Sequence, residues 1–164
     1  MEILGLYDKN GNYLNETIDR KNKLLVPKDK YYKQVIVFTI NNKGQYLIQK
    51  SSEKKGNIFE TLGGHVKDKY SCKETIIEEF MEELSINVVK RDIVFFKKYI
   101  YNNSIQEVYY IRGNIDINEL IYQSDEVSYA TWFSIDEIKE LIKNNKFRKK
   151  NIIPFLELIK YLEE

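Results

Sequence analysis

Residues 59–86 read FETLGGHVKDKYSCKETIIEEFMEELSI. A short β-prone run, Ile58 to Leu62, leads into the glycine pair Gly63-Gly64. Seven residues later Ser71-Cys72-Lys73-Glu74 matches a capping box, with Ser71 as the N-cap and Glu74 three positions on, and predicts a helix over about Ser71 to Leu84. At about 100° per residue, Ile76, Ile77, Phe80, Met81 and Leu84 share one face, the expected core face. Glu79, Glu82 and Glu83 cluster on the opposite side at i, i+3, i+4 spacing, so their side chains converge. An ordinary solvated acidic face would place Lys or Arg four residues after each Glu. Here Glu78 precedes Glu82 and Glu79 precedes Glu83, and each like-charge pair costs about 0.2–0.5 kcal/mol. Concentrated carboxylates suit Mg²⁺ or Mn²⁺, because hard cations take oxygen ligands. The helix alone supports a solvated face and a metal site equally. Gly63 and Gly64 favour the second, because two glycines let backbone and ligand approach closely, which suits phosphate oxygens or a tight chain reversal.

Outward from this segment, the chain reads as strands with a few helices. Ile3 to Tyr7 and Tyr13 to Ile18 flank an Asn-Gly turn, which predicts an N-terminal hairpin, and residues 19–31 read as a polar connection. Val35 to Ile40 is a continuous β-branched and aromatic run, suited to a strand buried on both faces. Tyr46 to Gln49, Ile93 to Tyr101, Ile105 to Arg112 and Val127 to Phe133 are further strands. Ser134 to Glu137 caps a second helix reaching about Lys143. Asn144 to Lys150 reads as a basic link, and Pro154 suits the first turn of a final helix ending near Leu162. This order predicts one α/β domain over residues 1–164 with a mixed sheet.

The 164 residues carry 26 Lys+Arg against 25 Asp+Glu, a formal net charge of +1, which argues against a protein that coats large nucleic acids. One cysteine excludes an internal disulfide framework and fits a reducing, cytoplasmic setting. No apolar run approaches about 18 residues, so no membrane-spanning helix is expected. The opening residues lack a basic, apolar leader pattern and read as mature structure. The 13 tyrosines fit either a stacking surface or a compositional drift without function, and the second is the simpler reading.

The spacing from Gly64 through Glu79, Phe80, Glu82, Glu83 and Ile86 resembles the box of the Nudix hydrolases, over about residues 64–86. Phe59-Glu60-Thr61-Leu62-Gly63-Gly64 resembles the family's lead-in, and Asp125-Glu126-Val127 with Trp132-Phe133-Ser134 resembles its last strand and helix start, so the resemblance covers about residues 32–145. The N-terminal hairpin and Gln49-Lys50-Ser51 resemble the branch with isopentenyl diphosphate isomerase-like members. Isomerase chemistry is not expected, because the further histidines and the upstream cysteine it needs are absent. The resemblance implies a Nudix-like α/β/α sandwich and Mg²⁺-dependent hydrolysis, with Mn²⁺ as the substitute, of a diphosphate bond in a nucleoside diphosphate linked to another moiety. It implies metal ligands at Glu79, Glu82 and Glu83, with Glu79, Glu82 and Glu126 in catalysis. Gly63, Gly64, His65 and Lys50 are the expected substrate contacts. A monomer or homodimer acting on a small molecule is expected. The alternative is a weak or inactive module of the family that binds a nucleotide or a protein.

Three positions depart from the box: Tyr70 replaces a Glu, Glu78 an Arg and Ser85 a Gly. Restoring Arg at 78 is therefore expected to strengthen the site. His65, the single histidine, reads as a loop-ordering hydrogen bonder or a phosphate contact, and Cys72 as structural. Lys54 and Lys55 fit either phosphate contacts or a solvated loop. The run Lys146, Arg148, Lys149, Lys150 reads as a solvated link. Tyr99, Tyr101, Tyr109 and Trp132 read as strand packing.

Overall fold

The computed structural model describes residues 2–122 and 125–163; Met1, where the leader reading begins, and Glu164 lie outside them. The N-terminal hairpin pairs β1 (Ile3–Tyr7) with β2 (Tyr13–Asp19). Residues expected as a plain connection contain a 3-10 helix, Arg20–Leu25, started by the Asp19 carboxylate accepting from the Lys21 N–H. Six residues without apolar periodicity leave no sequence signal for such a turn.

The main sheet is mixed. Its central strand β3 (Tyr32–Ile40) runs parallel to β8 (Ser104–Arg112), which pairs antiparallel with β7 (Val94–Tyr101). β4 (Tyr46–Ser51) meets β3 at a single residue pair, Ile40 with Tyr46, and then diverges. Beyond that point β6 (Leu62–His65) occupies the edge of β3, while β5 (Phe59–Glu60) and β9 (Val127–Phe133) pair with β4. The run read as one strand from Ile58 to Leu62 is thus split between two neighbours at Thr61.

Strand alternation divides β3 between two apolar cores. Val35 and Val37 pack with Ile76, Phe80 and Leu84 of α1 (Cys72–Leu84). Ile36, Phe38 and Ile40 pack on the other face with Ile138 of α2 (Ile135–Lys143) and with Phe155 and Leu158 of α3 (Lys149–Glu163). Helices therefore cover both faces, as the α/β/α expectation requires. Both capping boxes form: Glu74 N–H donates to Ser71 Oγ at 3.1 Å and Ser71 N–H to Glu74 at 3.2 Å, with Ser134 and Glu137 doing the same at α2.

Two expectations are corrected. The last helix starts at Lys149, so Pro154 sits in its second turn and leaves the Lys150 carbonyl without an i+4 partner. The early start follows from anchoring at the sheet edge, where Arg148 N–H donates to Phe59 O at 2.8 Å and Asn151 Oδ1 accepts from Thr61 N–H at 3.1 Å. The polar face of α1 is also displaced. Met81, expected in the core, is 42% exposed, whereas Glu83 is 9% exposed. Met81 and Glu79 lie 100° to either side of Phe80, but the buried stripe of Cys72, Ile76, Phe80 and Leu84 leans toward the side of Glu79 and Glu83, which leaves Met81 outside it.

Candidate active site

The divergence of β3 and β4 opens a cleft of about 340 Å³. Gln34, Val35 and Ile36 of β3, Gln49 of β4, and Gly63, Gly64 and His65 of β6 line it. Glu79, Glu82 and Glu83 enter from α1, Glu126 from the loop before β9, and Glu2 from the N-terminus. Facing them are Arg20, Lys55, Arg148 and Lys150.

Gly64 sits where it does for a steric reason. A Cβ there would lie 2.7 Å from the Glu79 carboxyl carbon and from its Oε1. At Gly63 a Cβ would lie 2.7 Å from the Val35 carbonyl oxygen. Glu83 accepts from Gln49 Nε2 at 3.4 Å. Among the described residues, Glu79, Glu82 and Glu83 form no ion pair. Burial pushes Glu79 up to about 8, with the charge of Glu82 adding to the effect, and pushes Glu83 up to about 8, with the charge of Glu79 adding. Burial raises Glu82 as well, reinforced by Glu78.

Among the described residues no three His, Cys, Asp or Glu side chains already enclose a metal-sized point. The donor chemistry nonetheless fits a hard divalent cation: three carboxylates on one helix face one cleft, two are withdrawn from water, and none is in ion-pair contact among the described residues, Lys67 pairing with Glu78 and only adding to the field at Glu82. The same facts set a pH dependence. Glu79 and Glu83 have folded values above their unfolded ones, so the folded form holds protons that the unfolded chain releases. Their penalty is absent below about pH 4.5, grows as pH rises, and is complete above about pH 8. The urea midpoint of the metal-free protein should fall across that interval, and millimolar Mg²⁺ should recover part of the loss while releasing protons. A flat profile with no effect of Mg²⁺ would refute this.

Glu78 is not left against Glu82 alone. Lys67 Nζ lies 2.5 Å from Glu78 Oε1 and 4.8 Å from the centre of the Tyr70 ring. The cation expected on the helix comes from the preceding loop, which corrects the expectation for Glu78→Arg. That change sets Arg against Lys67 and should weaken Mn²⁺ binding by roughly tenfold, the scale of lost support around a metal ligand. Exchanging the pair, Lys67→Glu with Glu78→Arg, should restore it. Calorimetry showing tighter binding in the single variant would contradict this pairing.

His65 is buried, stacked on Tyr32 with ring centres 5.7 Å apart, and its Nε2 lies 3.1 Å from Lys23 Nζ and 3.2 Å from Gln34 Nε2. Burial first, then surrounding cations, hold its pKa down to about 2, so the ring is neutral and accepts at Nε2. Lys50 is not brought to the cleft. With Gln49 turned to Glu83, strand alternation sends Lys50 to the other face, where Nζ lies 4.9 Å from the Phe59 ring centre. Lys55 takes a place in the wall, 3.2 Å from Glu126. Arg148 and Lys150, read as a solvated link, also line the cleft; Arg148 Nε donates to Glu60 at 2.9 Å. Cys72 is buried and raised to about 12 by burial, without a nucleophile's setting. Tyr109 is buried and hydrogen-bonds Glu107, whereas Tyr101 is exposed. No described helix is long and apolar enough to cross a membrane.

Comparison with known proteins agrees with this geometry. NAD-capped RNA hydrolase NudC of Pectobacterium atrosepticum is 24% identical over 120 residues, covering 70% of this chain and 44% of the relative. Its counterpart in Pseudomonas aeruginosa is 22% identical over 109 residues, covering 65% and 37%. The chain thus spans less than half the length of these relatives. DR0079 from Deinococcus radiodurans superposes with a TM-score of 0.71 at 20% identity, over 88% of this chain and 91% of that one. A bifunctional NMN adenylyltransferase/ADP ribose pyrophosphatase from Francisella tularensis, complexed with AMP and a Mn ion, gives 0.65 at 15% identity, over 87% and 45%. At these identities the superpositions speak for the fold. The sequence model of the NUDIX domain matches residues 30–156, most of the chain, from β3 into α3. By that match, the cleft between β3 and β4 belongs to a member of the NUDIX domain family.

Proposed function

We propose that this chain is a Mg²⁺-dependent hydrolase that cleaves the diphosphate bond of a nucleoside diphosphate linked to another moiety. One observation carries the reading: a single cleft sets beside Gly63 and Gly64 three carboxylates that form no ion pair among the described residues, and its lining also holds four cationic side chains. Glu79, Glu82 and Glu83 are the residues that would hold Mg²⁺ or Mn²⁺. The metal, when bound, supplies Lewis-acid activation of phosphate oxygens and of the attacking water. Lys55 and Arg148 offset the negative charge of the diphosphate as the phosphorus–oxygen bond breaks. Glu126, which lines the cleft beside Lys55, is the carboxylate that would take the proton from the attacking water. Gly64 leaves room for the Glu79 carboxylate and Gly63 for the close approach of β3, and His65 stays neutral and orients Lys23. The names of the relatives, which concern NAD-capped RNA and ADP ribose, support a substrate in which diphosphate joins a nucleoside to a second unit.

The test is a panel of such compounds with Mg²⁺ and with Mn²⁺, read by phosphate release after a coupled phosphatase. Metal-dependent turnover of at least one compound is expected. Binding without turnover across the panel would replace this reading with a nucleotide-binding module.

A further inference from the structure

The charges of the cleft cancel unevenly. Arg20 is paired with Glu2 at 2.6 Å, Lys55 with Glu126 at 3.2 Å and Arg148 with Glu60 at 2.9 Å. Setting aside these three cations, which line the cleft but share their charge with a carboxylate, the three α1 carboxylates remain on one side. On the other remains Lys150, half-buried and without a carboxylate in ion-pair contact among the described residues. A second ammonium, at the margin of the lining, adds to the positive field at Lys150. Lys23, also half-buried and without a carboxylate, is aimed by the Nε2 lone pair of His65, a residue lining the same cleft.

The two groups lie across β6 from the carboxylates. Gly64 pairs with Val35, whose side chain belongs to the α1 core, whereas His65 pairs with Gln34, on the opposite face, and α3 packs on that face. The turn that presents Lys23 is not shaped by core packing, since the adjacent Leu24 and Leu25 are 90% and 75% exposed. It also precedes the family match at residues 30–156, so this wall is supplied by the chain's own N-terminal segment. Half-buried ammonium groups without a counter-charge are costly unless an anion completes them. Consistent with that deficit, burial lowers both lysines; Arg20 and Lys55 lower Lys23 further, and Arg148 lowers Lys150 further, against a smaller opposing pull from Glu60, which is itself paired with Arg148.

We propose that Lys23 and Lys150 form a second anion subsite, across β6 from the α1 carboxylates, which takes a further phosphoryl group carried beyond the diphosphate. This rests on the hydrolase reading of the cleft and narrows its substrate class to compounds with a phosphoryl group additional to the bond cleaved. His65 is a positioning residue here: it holds Lys23 and does not itself meet the anion as a cation.

The experiment is calorimetric binding of ADP and of ATP to the whole chain in EDTA, at fixed salt, compared as a ratio of affinities. ATP is expected to bind about tenfold more tightly than ADP, the scale of one charge-assisted contact. Lys23→Met and Lys150→Met should each bring the ratio close to one, while Lys23→Arg keeps it. Equal affinities in the unaltered protein overturn the proposal, whether or not the variants fold. So does an unchanged ratio in both methionine variants, which would mark a diffuse electrostatic effect. Because metal and turnover are absent from the measurement, a chain that binds with the expected ratio but hydrolyses nothing refutes only the hydrolase reading. A chain that hydrolyses but shows a flat ratio refutes only the subsite.

Discussion

Gly64→Ala should abolish most turnover while leaving the protein folded, and Gly63→Ala should do the reverse. The added methyl group at 64 meets the Glu79 side chain, with 2.7 Å to its carboxyl carbon and 2.8 Å to its Cγ. A flexible side chain moves aside at small cost in stability, but the one displaced is a proposed metal ligand. A loss of roughly 10²-fold or more in turnover is expected, with a weaker response of thermal stability to Mg²⁺. At 63 the obstacle is the Val35 carbonyl oxygen, which is backbone inside the β3–β6 ladder. Relief there requires the strands to shift, a strain of about 1–3 kcal/mol. Denaturant midpoints and metal-dependent turnover, measured on both variants, separate the two. Unimpaired turnover in Gly64→Ala would break the link between β6 and Glu79.

Glu82→Gln is the second large effect. The substitution keeps length and helix propensity but removes a charge from the carboxylate set facing the cleft. Turnover should fall by roughly 10²-fold or more, since a metal-holding or water-activating group is lost. Stability should stay level or rise slightly, because Glu82 is exposed and the repulsion from Glu78 outweighs the attraction of Lys67, which is already paired with Glu78. Activity equal to that of the unaltered chain, in a variant with an unchanged melting temperature, would remove Glu82 from the mechanism.

Features set by neighbours along the chain are legible in the amino-acid sequence. The Ser71–Glu74 box, the β3 run and the Gly64-to-Glu83 spacing depend on chemistry within a few residues. The α1 faces are legible only in part, because a helical wheel gives angles but not which flank leans on β6; Met81 and Glu83 exchange environments for that reason. Lys50 and Lys55 show the same limit for strands and loops. Alternation separates Gln49 from Lys50, but only the neighbours of β4 decide which of them meets Glu83. Arg20, Arg148 and Lys150, and Lys23 behind His65, carry no sequence signal as site residues, since they come together from opposite ends of the chain through a 3-10 turn and an early helix start.

The hairpin bears on heredity as well as on shape. Lys67 forms a bridge with Leu4, Asp68 N–H donates to Ile3 O at 2.7 Å, and Tyr13 Oη–H donates to Asp68 Oδ1 at 2.7 Å. The loop joining the glycine strand to the acidic helix is therefore splinted by residues that lie before the family match. Such a splint cannot be traded among relatives as a cassette, because removing it unseats Lys67, Arg20 and Lys23 together. Lineages that alter Tyr13 should alter Asp68 as well, and the N-terminal segment should evolve at the pace of the active site rather than that of a dispensable tail.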